Sequence, residues 1–428
     1  MHHYSMTRQA VRVGAGVAVL MLGTGAVFAG GFAIREQSSY YQGTSFAGYS
    51  TASDSISTMF WNPATLTAHK GMKSEVINSV IVPRSDIDVE SAVVDSSNTP
   101  LTSVPGAATG DAGDIGIAAW VPGSYGSYQF NDQVYLGLSM NAPFGLSTKP
   151  NTLWSGQTYA RSSEALSFNV TPNVAFKLSD SLSLGVGLQM QYFQVRLKRA
   201  RTTSVDAPGI ELRGEDQNLG IGATFGLLYE PMEGTQIGFG YRSPVNQSLD
   251  GYLIVGSSET RINAEVLLPE SVNVSFKHAF MEDRARVMGT FEYTHWGRFN
   301  HFAIYNDLGR QISGLEFFYD DGYYLALGGE YDFNAQWTGR AGIAYEWSPI
   351  DEEVRTARLP DSDRLWLSAG LSYTYTDWLS FDLGYTHIFP ESAKIDYNPQ
   401  HHDYNGISLR GDVDASVDIL SAAMRVVF

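Results

Sequence analysis

The strongest constraint on the fold of this chain is the recurrence of apolar residues at every second position. In residues 365–375 (LWLSAGLSYTY), leucine, alanine and tyrosine occupy one face, and mostly small or polar residues occupy the other. Successive side chains of a β-strand point to opposite faces, so this pattern is typical of strands with one apolar face. The alternation recurs in residues 182–191, 221–229, 237–241, 341–347 and 381–385. We therefore predict an all-β protein.

The alternation, followed along the chain, predicts an even number of antiparallel strands. We place fourteen of them, near residues 72–84, 111–121, 132–142, 165–178, 181–200, 215–230, 233–246, 260–280, 283–300, 318–333, 336–350, 361–376, 379–391 and 412–428. In the last strand, which ends at Phe428, the apolar alternate positions are predicted to face outward.

The predicted connections alternate in length. Short turns on one side and long loops on the other are typical of an outer-membrane β-barrel. The alternative is a soluble β-sandwich, but its strands usually have only about 5 to 6 residues. The tight turns fall at residues 179–180, 230–233, 281–283, 334–335 and 376–377, and the long loops at 85–110, 143–164, 301–317 and 392–411.

The amino-terminal residues carry an export signal. Arg8 and Arg12 precede an apolar run at residues 13–22, and small residues lead up to Gly30. This order predicts a signal peptide over residues 1–29. The run is too short for a membrane anchor, which needs roughly 20 apolar residues. We expect a protein of the Gram-negative outer membrane that contacts lipid and lipopolysaccharide and acts as a monomer.

Composition excludes some classes of partner and bond. The chain has no cysteine, so no disulfide stabilises it after export. Its formal net charge of -17 disfavours binding to nucleic acid, whose phosphates would repel it.

Residues 30–71 follow neither the strand pattern nor that of a long amphipathic helix. Their apolar residues argue against a free, solvated tail. We therefore predict an N-terminal hatch domain over residues 30–71 that plugs the lumen of a transmembrane barrel formed by residues 72–428. The apolar residues are Phe32, Ile34, Phe46, Ile56, Met59 and Phe60.

Several sequence blocks resemble the FadL family of outer-membrane transporters for long-chain fatty acids and other hydrophobic compounds. These include GGFAIRE at residues 30–36, Asn-Pro-Ala at residues 62–64 and LPDSDRLWLSAG at residues 359–370. The resemblance implies a fourteen-stranded barrel, a hatch, and a substrate path that leaves sideways through a kinked third strand.

Two short stretches are candidate gates. Proline cannot donate a backbone hydrogen bond and glycine tolerates a bend, so Ala142, Pro143 and Gly145 predict an interrupted third strand. The alternative is that Pro143 simply ends the strand. Asn62, Pro63 and Ala64 predict a defined bend in the hatch, with Phe60 and Trp61 as plug anchors or pocket walls.

The loop that follows the third strand is a candidate capture site for a hydrophobic ligand. Its apolar side chains predict an external groove, and the resemblance implies a low-affinity site there. Ordinary loop packing is the alternative. The residues are Phe144, Leu146, Leu153, Trp154 and Tyr159.

A fatty acid inside the barrel would need a cation for its carboxylate. The resemblance implies this role for Arg199, although a basic cluster at the outer end of a strand also suits contact with lipopolysaccharide. A second family lysine falls on Ala303, and this departure makes a neutral hydrocarbon substrate more plausible.

Other functions have weaker support. His401, His402 and Asp403 could touch a metal, but a solvated loop is the expected state, and we expect neither metal nor cofactor. The chain has no G-x-S-x-G or H-E-x-x-H motif, which disfavours a lipase-type enzyme. A plugged lumen disfavours an unselective porin. We therefore predict passive uptake of long-chain fatty acids, with uptake of alkanes or aromatic hydrocarbons as the alternative.

Overall fold

The computed structural model describes residues 30–428, and the predicted signal peptide lies outside them. The strands, in chain order, are β1 Met72–Val94, β2 Thr99–Pro100, β3 Gly113–Asp114, β4 Ala119–Gln129, β5 Val134–Asn141, β6 Gly145–Thr148, β7 Ser162–Lys177, β8 Leu182–Ala200, β9 Gly209–Asn218, β10 Gly220–Met232, β11 Thr235–Arg242, β12 Val245–Val255, β13 Ser258–Leu268, β14 Ser271–Phe280, β15 Ala285–Thr294, β16 His301–Asn306, β17 Gln311–Glu316, β18 Gly322–Asp332, β19 Trp337–Trp347, β20 Arg364–Thr376, β21 Leu379–Pro390, β22 Ala393–Tyr397 and β23 Ile407–Val427.

These strands form one closed antiparallel barrel with fourteen wall strands. Six wall strands are continuous, and eight consist of consecutive segments, such as β5 with β6 and β9 with β10. Each wall strand pairs with the next along the chain, and β23 pairs with β1 over almost its whole length. The predicted fold class is confirmed.

The second wall strand was placed wrongly. Residues 111–121 were predicted, whereas β4 covers Ala119–Gln129. The predicted strand ended at residue 121, before Pro122 and Gly123. Both lie inside β4, where only β1 pairs with them, because pairing with β5 begins at Ser124. A strand with a neighbour on one side only can accommodate a proline.

All four predicted long loops contain regular structure, including β6 within residues 143–164. β1 continues to Val94, β16 and β17 form a hairpin within residues 301–317, and β22 and the start of β23 lie within residues 392–411. The predicted tight turns are confirmed as links between paired strands, for example between β7 and β8 and between β14 and β15.

The side chains alternate as predicted between an apolar outer surface and the lumen. In β23, Leu420, Met424 and Phe428 are about half exposed on the outside, whereas Ser421 is buried inside. In β20, Leu367 and Leu371 face outward, whereas Trp366 is fully buried.

Residues 30–71, called here the N-terminal segment, precede β1 and are almost entirely buried. One helical turn, α1 Ser39–Gln42, and 3-10 helices at Ile56–Phe60 and Pro63–Ala68 give it a compact form. Among residues 30–428, no helix is both long enough and apolar enough to span a membrane. The remaining 3-10 helices are Asp95–Ser97, Leu101–Ser103, Trp296–Arg298 and Glu352–Val354.

Glycines in the wall let the N-terminal segment lie directly against the inner surface of the strands. A Cβ added at Gly226 would lie 2.0 Å from Oδ1 of Asn62, and one added at Gly185 would lie 2.4 Å from the backbone nitrogen of Ala64. The Asn-Pro-Ala sequence therefore packs on a wall that has no side chains at these two positions.

We expect Gly226→Ala to loosen this packing. Overpacking of a well-filled interior typically costs about 1–3 kcal/mol, so amide hydrogen exchange in residues 50–66 should become faster. Gly126→Ala is the matched control, because a Cβ added at Gly126 has no neighbour within 4 Å. Equal exchange in the two variants would contradict this account of the packing.

Candidate functional site

A largely apolar cavity, called here the large cavity, lies in the outer half of the barrel and has a volume of ≈ 550 Å³. This size is within the range of about 300–1,000 Å³ that is usual for small-molecule sites. Phe32 of the N-terminal segment lies at the cavity surface, in contact with Phe299 at a ring-centroid distance of 4.8 Å. Apolar wall residues include Leu146, Phe193, Leu249, Val266, Phe302 and Leu315.

Arg199 contributes charge to this cavity. It lies on the same face of β8 as Phe193, Val195 and Leu197, which all line the cavity. Arg196 and Lys198 alternate to the opposite face, where they pair with Glu211 at 2.6 and 3.3 Å. The basic residues at the end of β8 therefore lie on two different faces of the strand. Of Arg196, Lys198 and Arg199, Arg199 is the one directed to the cavity.

Arg358 is a second arginine in the cavity wall, and the sequence analysis missed it. Its Nη1 donates to Oγ of Ser163 at 3.3 Å and to the carbonyl oxygen of Lys198 at 3.4 Å, both long contacts. Within residues 30–428, neither Arg199 nor Arg358 has a carboxylate ion-pair partner within 4.0 Å. Both guanidinium groups are therefore available to a ligand anion.

The nearby acid is Asp403, which lines the same cavity together with His402. Burial raises the pKa of Asp403, and the charges of Arg358, His402 and Arg199 oppose that rise. Arg199, Arg358 and Asp403 thus lie close to one another, and Glu316 is a second acid in the cavity lining.

Ala303 does not belong to this wall. In β16, Phe302 and Ile304 line the cavity, and Ala303 alternates to the other face. His301, on the same face of β16 as Ala303, also lines the cavity. The neutral-hydrocarbon alternative that rests on this departure stays a prediction.

The third wall strand is interrupted at Pro143. β5 ends at Asn141 and β6 begins at Gly145. Asn141 pairs with Asn169 and Gly145 with Leu166, so the interrupted strand has one extra residue relative to β7, which is a β-bulge.

The N-terminal segment supplies hydrogen bonds to this interruption. The backbone N–H of Ile34 donates to the carbonyl oxygen of Pro143 at 2.8 Å, and that of Gly145 donates to the carbonyl of Phe32 at 2.9 Å. The side-chain amide of Gln37 donates to the carbonyl of Ala142 at 2.9 Å. The segment therefore occupies part of the place of a neighbouring strand.

The interruption leaves a gap in the barrel wall. Pairing between β4 and β5 ends at Ser124 and Met140, and the two wall strands meet again only at the bridge between Gly116 and Thr148. Between these points, residues 119–123 of β4 pair with β1 alone. The unpaired stretch thus faces residues 142–147 across an opening.

A small cavity of ≈ 70 Å³ lies between this region and the N-terminal segment. Phe60 and Trp61 both line it, as do Pro143 and Phe144. The guanidinium of Arg242 lies 4.0 Å from the centre of the Phe60 ring. The two neighbouring aromatics of the N-terminal segment thus face the interrupted strand.

Comparison with known proteins identifies the family of this chain. The model of a family described as outer membrane protein transport protein (OMPP1/FadL/TodX) matches residues 20–428. The chain belongs to this family. It is an outer-membrane protein, and the relatives described next are named as transport or outer-membrane proteins.

Two relatives and two solved structures illustrate the similarity. The chain is 26% identical to a long-chain fatty acid transport protein of Escherichia coli O6:H1, over 89% of this chain and 91% of the other. It is 25% identical to outer membrane protein P1 of Haemophilus influenzae, over 86% and 88%. The fold is similar to that of a FadL homologue of Pseudomonas aeruginosa, with a TM-score of 0.85, 21% identity and coverage of 93% and 100%. For the toluene transporter TodX of P. putida, the TM-score is 0.64, the identity 15% and the coverage 91% and 98%.

In this FadL-family protein, the Asn-Pro-Ala sequence fixes the N-terminal segment to the inner surface of the barrel wall. The side-chain amide of Asn62 donates to the carbonyls of Ser50 at 2.7 Å and of Leu227 at 2.9 Å. Its oxygen accepts from the N–H of Ala64 at 3.0 Å, which caps the 3-10 helix that starts at Pro63. These bonds join the N-terminal segment to β10.

The five residues predicted to form an external groove do not form one. Leu146 lines the large cavity, Phe144 packs beside it, and Leu153 is exposed. Trp154 and Tyr159 are fully buried in a separate apolar cluster, where Tyr159 stacks on Tyr397 at 3.6 Å. That cluster joins loop residues to β1, β22 and β23, so the alternative of ordinary loop packing describes Trp154 and Tyr159.

The two histidines of the last loop are held by backbone groups. Nε2 of His401 lies 3.3 Å from the carbonyl of Arg355, and Nε2 of His402 lies 3.1 Å from that of Val354. Burial lowers the pKa of His401 to about 4, so its imidazole is neutral at neutral pH. Among residues 30–428, no group of three potential ligands is placed to hold a metal ion.

Proposed function

We propose that this protein is a passive channel for hydrophobic molecules that carry a carboxylate, with long-chain fatty acids as the leading substrate class. The observation that carries the proposal is the largely apolar cavity with Arg199 and Arg358 in its wall. Each methylene buried there would contribute about 0.8 kcal/mol, and an arginine binds a carboxylate through charge-assisted hydrogen bonds. A cavity for an alkane or an aromatic hydrocarbon would not need these charges.

The N-terminal segment would act as the hatch of this channel. Phe32 contributes to the cavity surface, and the backbone of residues 32–34 is bonded to the interrupted strand. A ligand tail that displaces Phe32 would therefore also weaken the bonds to Pro143 and Gly145. This connection supports coupling between occupation of the cavity and access to the gap in the wall.

The polarity of the lumen favours sideways release. A further cavity of ≈ 670 Å³ opens beside the short turns, and it is lined by charged residues. An apolar chain would gain little binding free energy there, because transfer from an apolar site to a polar, hydrated one is unfavourable. Release through the gap would deliver it into the bilayer instead. The charged residues are Asp54, Lys277, Arg284, Arg286, Glu330 and Asp332.

A direct test compares ligands that differ only in the head group. The purified protein should bind oleate more tightly than oleyl alcohol. In a Gram-negative host that lacks its own fatty-acid channel, expression should restore uptake of labelled oleate. Liposomes that contain the protein should not swell in sugar solutions. Equal binding of the acid and the alcohol would instead favour a hydrocarbon channel, and rapid swelling would favour a porin.

A further inference from the structure

Two buried carboxylates converge on the first backbone nitrogens of the N-terminal segment. The nitrogen of Gly30 lies 3.0 Å from Oε1 of Glu346, and that of Gly31 lies 3.0 Å from Oδ2 of Asp361. Glu346 lies on β19, and Asp361 lies in the loop that precedes β20, so two different elements of the barrel meet at this point.

Glycine at both positions favours this approach, and the backbone of Gly31 requires it. A Cβ at Gly30 would lie 2.8 Å from Oε1 of Glu346. Gly31 has a φ of +67°, and a Cβ there would lie 2.8 Å from the Trp296 ring. A larger residue at position 31 would therefore push the chain away from the carboxylates. The pocket therefore fits a chain start whose first two residues have no side chains.

The pocket contains more negative than positive groups around Gly30. Glu346 accepts from Arg35 at 3.2 Å, and Asp361 pairs with Arg364. Glu292 shares Arg35 with Glu346, at 2.8 Å. Buried carboxylates are costly unless cations and hydrogen bonds compensate them. Arg355 does not supply this charge, because it donates to the backbone carbonyl of Asp361 and not to its carboxylate.

Glu36 adds a further carboxylate to the same region. It is fully buried, and neither of its carboxylate oxygens has a side-chain hydrogen-bond partner among residues 30–428. Its charge acts on Arg35 and Glu346, so it belongs to the same electrostatic environment. An additional positive charge at Gly30 would reduce this imbalance.

We propose that Glu346 and Asp361 form a binding site for the charged α-amino group of the mature chain. Hydrolysis after Ala29 by a signal peptidase would add water across the peptide bond, leaving a carboxylate on Ala29 and an ammonium on Gly30. A peptide nitrogen offers one hydrogen, whereas an ammonium offers three and a full positive charge. Removal of the leader thus creates the cation for which the pocket is built.

This ion pair would anchor the part of the N-terminal segment that contacts the large cavity. Phe32 is only two residues from Gly30 and lines that cavity. Ile34, four residues from Gly30, is bonded to the interrupted strand at Pro143. Processing of the leader would therefore set the position of the segment, and it would do so whatever substrate the channel carries.

The test measures the reactivity of the α-amino group in protein purified from outer membranes. Mass spectrometry should first show a mature chain that begins at Gly30. At pH about 7, an amine-reactive reagent modifies α-amino groups in preference to lysines, because their ordinary pKa is about 8 rather than about 10. In the native protein, modification of Gly30 should be at least about tenfold slower than in the unfolded chain, which corresponds to one pKa unit.

Glu346→Gln should raise the rate of modification towards that of the unfolded chain. Glu330→Gln is the matched control, because Glu330 is equally buried in the lumen but pairs with Arg340 rather than with Gly30. If Glu346→Gln fails to fold, a chain with one alanine inserted before Gly30 replaces it, since this moves the amine away from Glu346. A native α-amine that reacts as fast as the unfolded one, or a mature chain with a different first residue, would overturn the proposal. None of these measurements involves a transported ligand.

Discussion

Uptake of labelled oleate is expected to fall to the level of cells without the channel when a disulfide joins residues 121 and 143, and to recover on reduction. The variant is Val121→Cys with Pro143→Cys. The chain has no cysteine of its own, so this pair would be the only one. The disulfide would close the gap in the wall through which we propose that the substrate leaves.

The register of the two strands makes this pair the natural choice. Ser124 pairs with Met140 on one side of the gap, and Gly116 bridges to Thr148 on the other. Eight positions separate the partners on each strand, since 124 minus 116 equals 148 minus 140. Continued pairing would therefore place residue 121 opposite residue 143. Paired strands bring opposite Cα atoms to about 4.5–5.5 Å, a distance that a disulfide can bridge.

Two controls separate closure of the gap from other effects. Tyr128→Cys with Leu136→Cys introduces a disulfide between positions of β4 and β5 that are already paired, and it should leave uptake unchanged. The single variant Pro143→Cys removes the proline without a cross-link. Formation of each disulfide is verified by mass spectrometry. Full uptake by the oxidised Val121→Cys, Pro143→Cys variant would show that the substrate does not leave through this gap.

The regular parts of this protein were predictable because they repeat one physical rule. Each wall strand separates an apolar outside from a polar lumen, so apolar and polar residues alternate along its sequence. The rule failed at β4, where Pro122 and Gly123 lie beside the gap and only one neighbouring strand constrains them. The local sequence there contains the signal of a turn, and the tertiary context overrides it.

The candidate site was only partly predictable, for a similar reason. Arg199 lies on a regular strand, so its side of the strand follows from the alternation with Phe193. Arg358 lies in an irregular loop, which has no period from which the direction of a side chain could be inferred. Trp154 and Tyr159 were assigned to a groove because loops usually lie on the surface. Here the loops pack on one another and bury both rings.

Removing both cavity arginines is expected to abolish the preference of the protein for fatty acids over alcohols of the same chain length. The variant is Arg199→Gln with Arg358→Gln. A hydrogen bond to a charged group contributes about 1.5–3 kcal/mol, which corresponds to a loss of about ten- to a hundredfold in affinity for each arginine. We expect the larger part of the loss from Arg358, since Arg199 is more exposed to water.

The same variant should bind oleyl alcohol as the wild type does, because the apolar wall of the cavity is unchanged. Arg196→Gln is the matched control, since Arg196 belongs to the same basic cluster but pairs with Glu211 on the opposite face of β8. Binding is measured by calorimetry in detergent with oleate and oleyl alcohol. A loss of both ligands would indicate a collapsed cavity rather than a missing charge. If oleate affinity were unchanged, the carboxylate would bind elsewhere, and the cavity would be better explained as a site for neutral hydrocarbons.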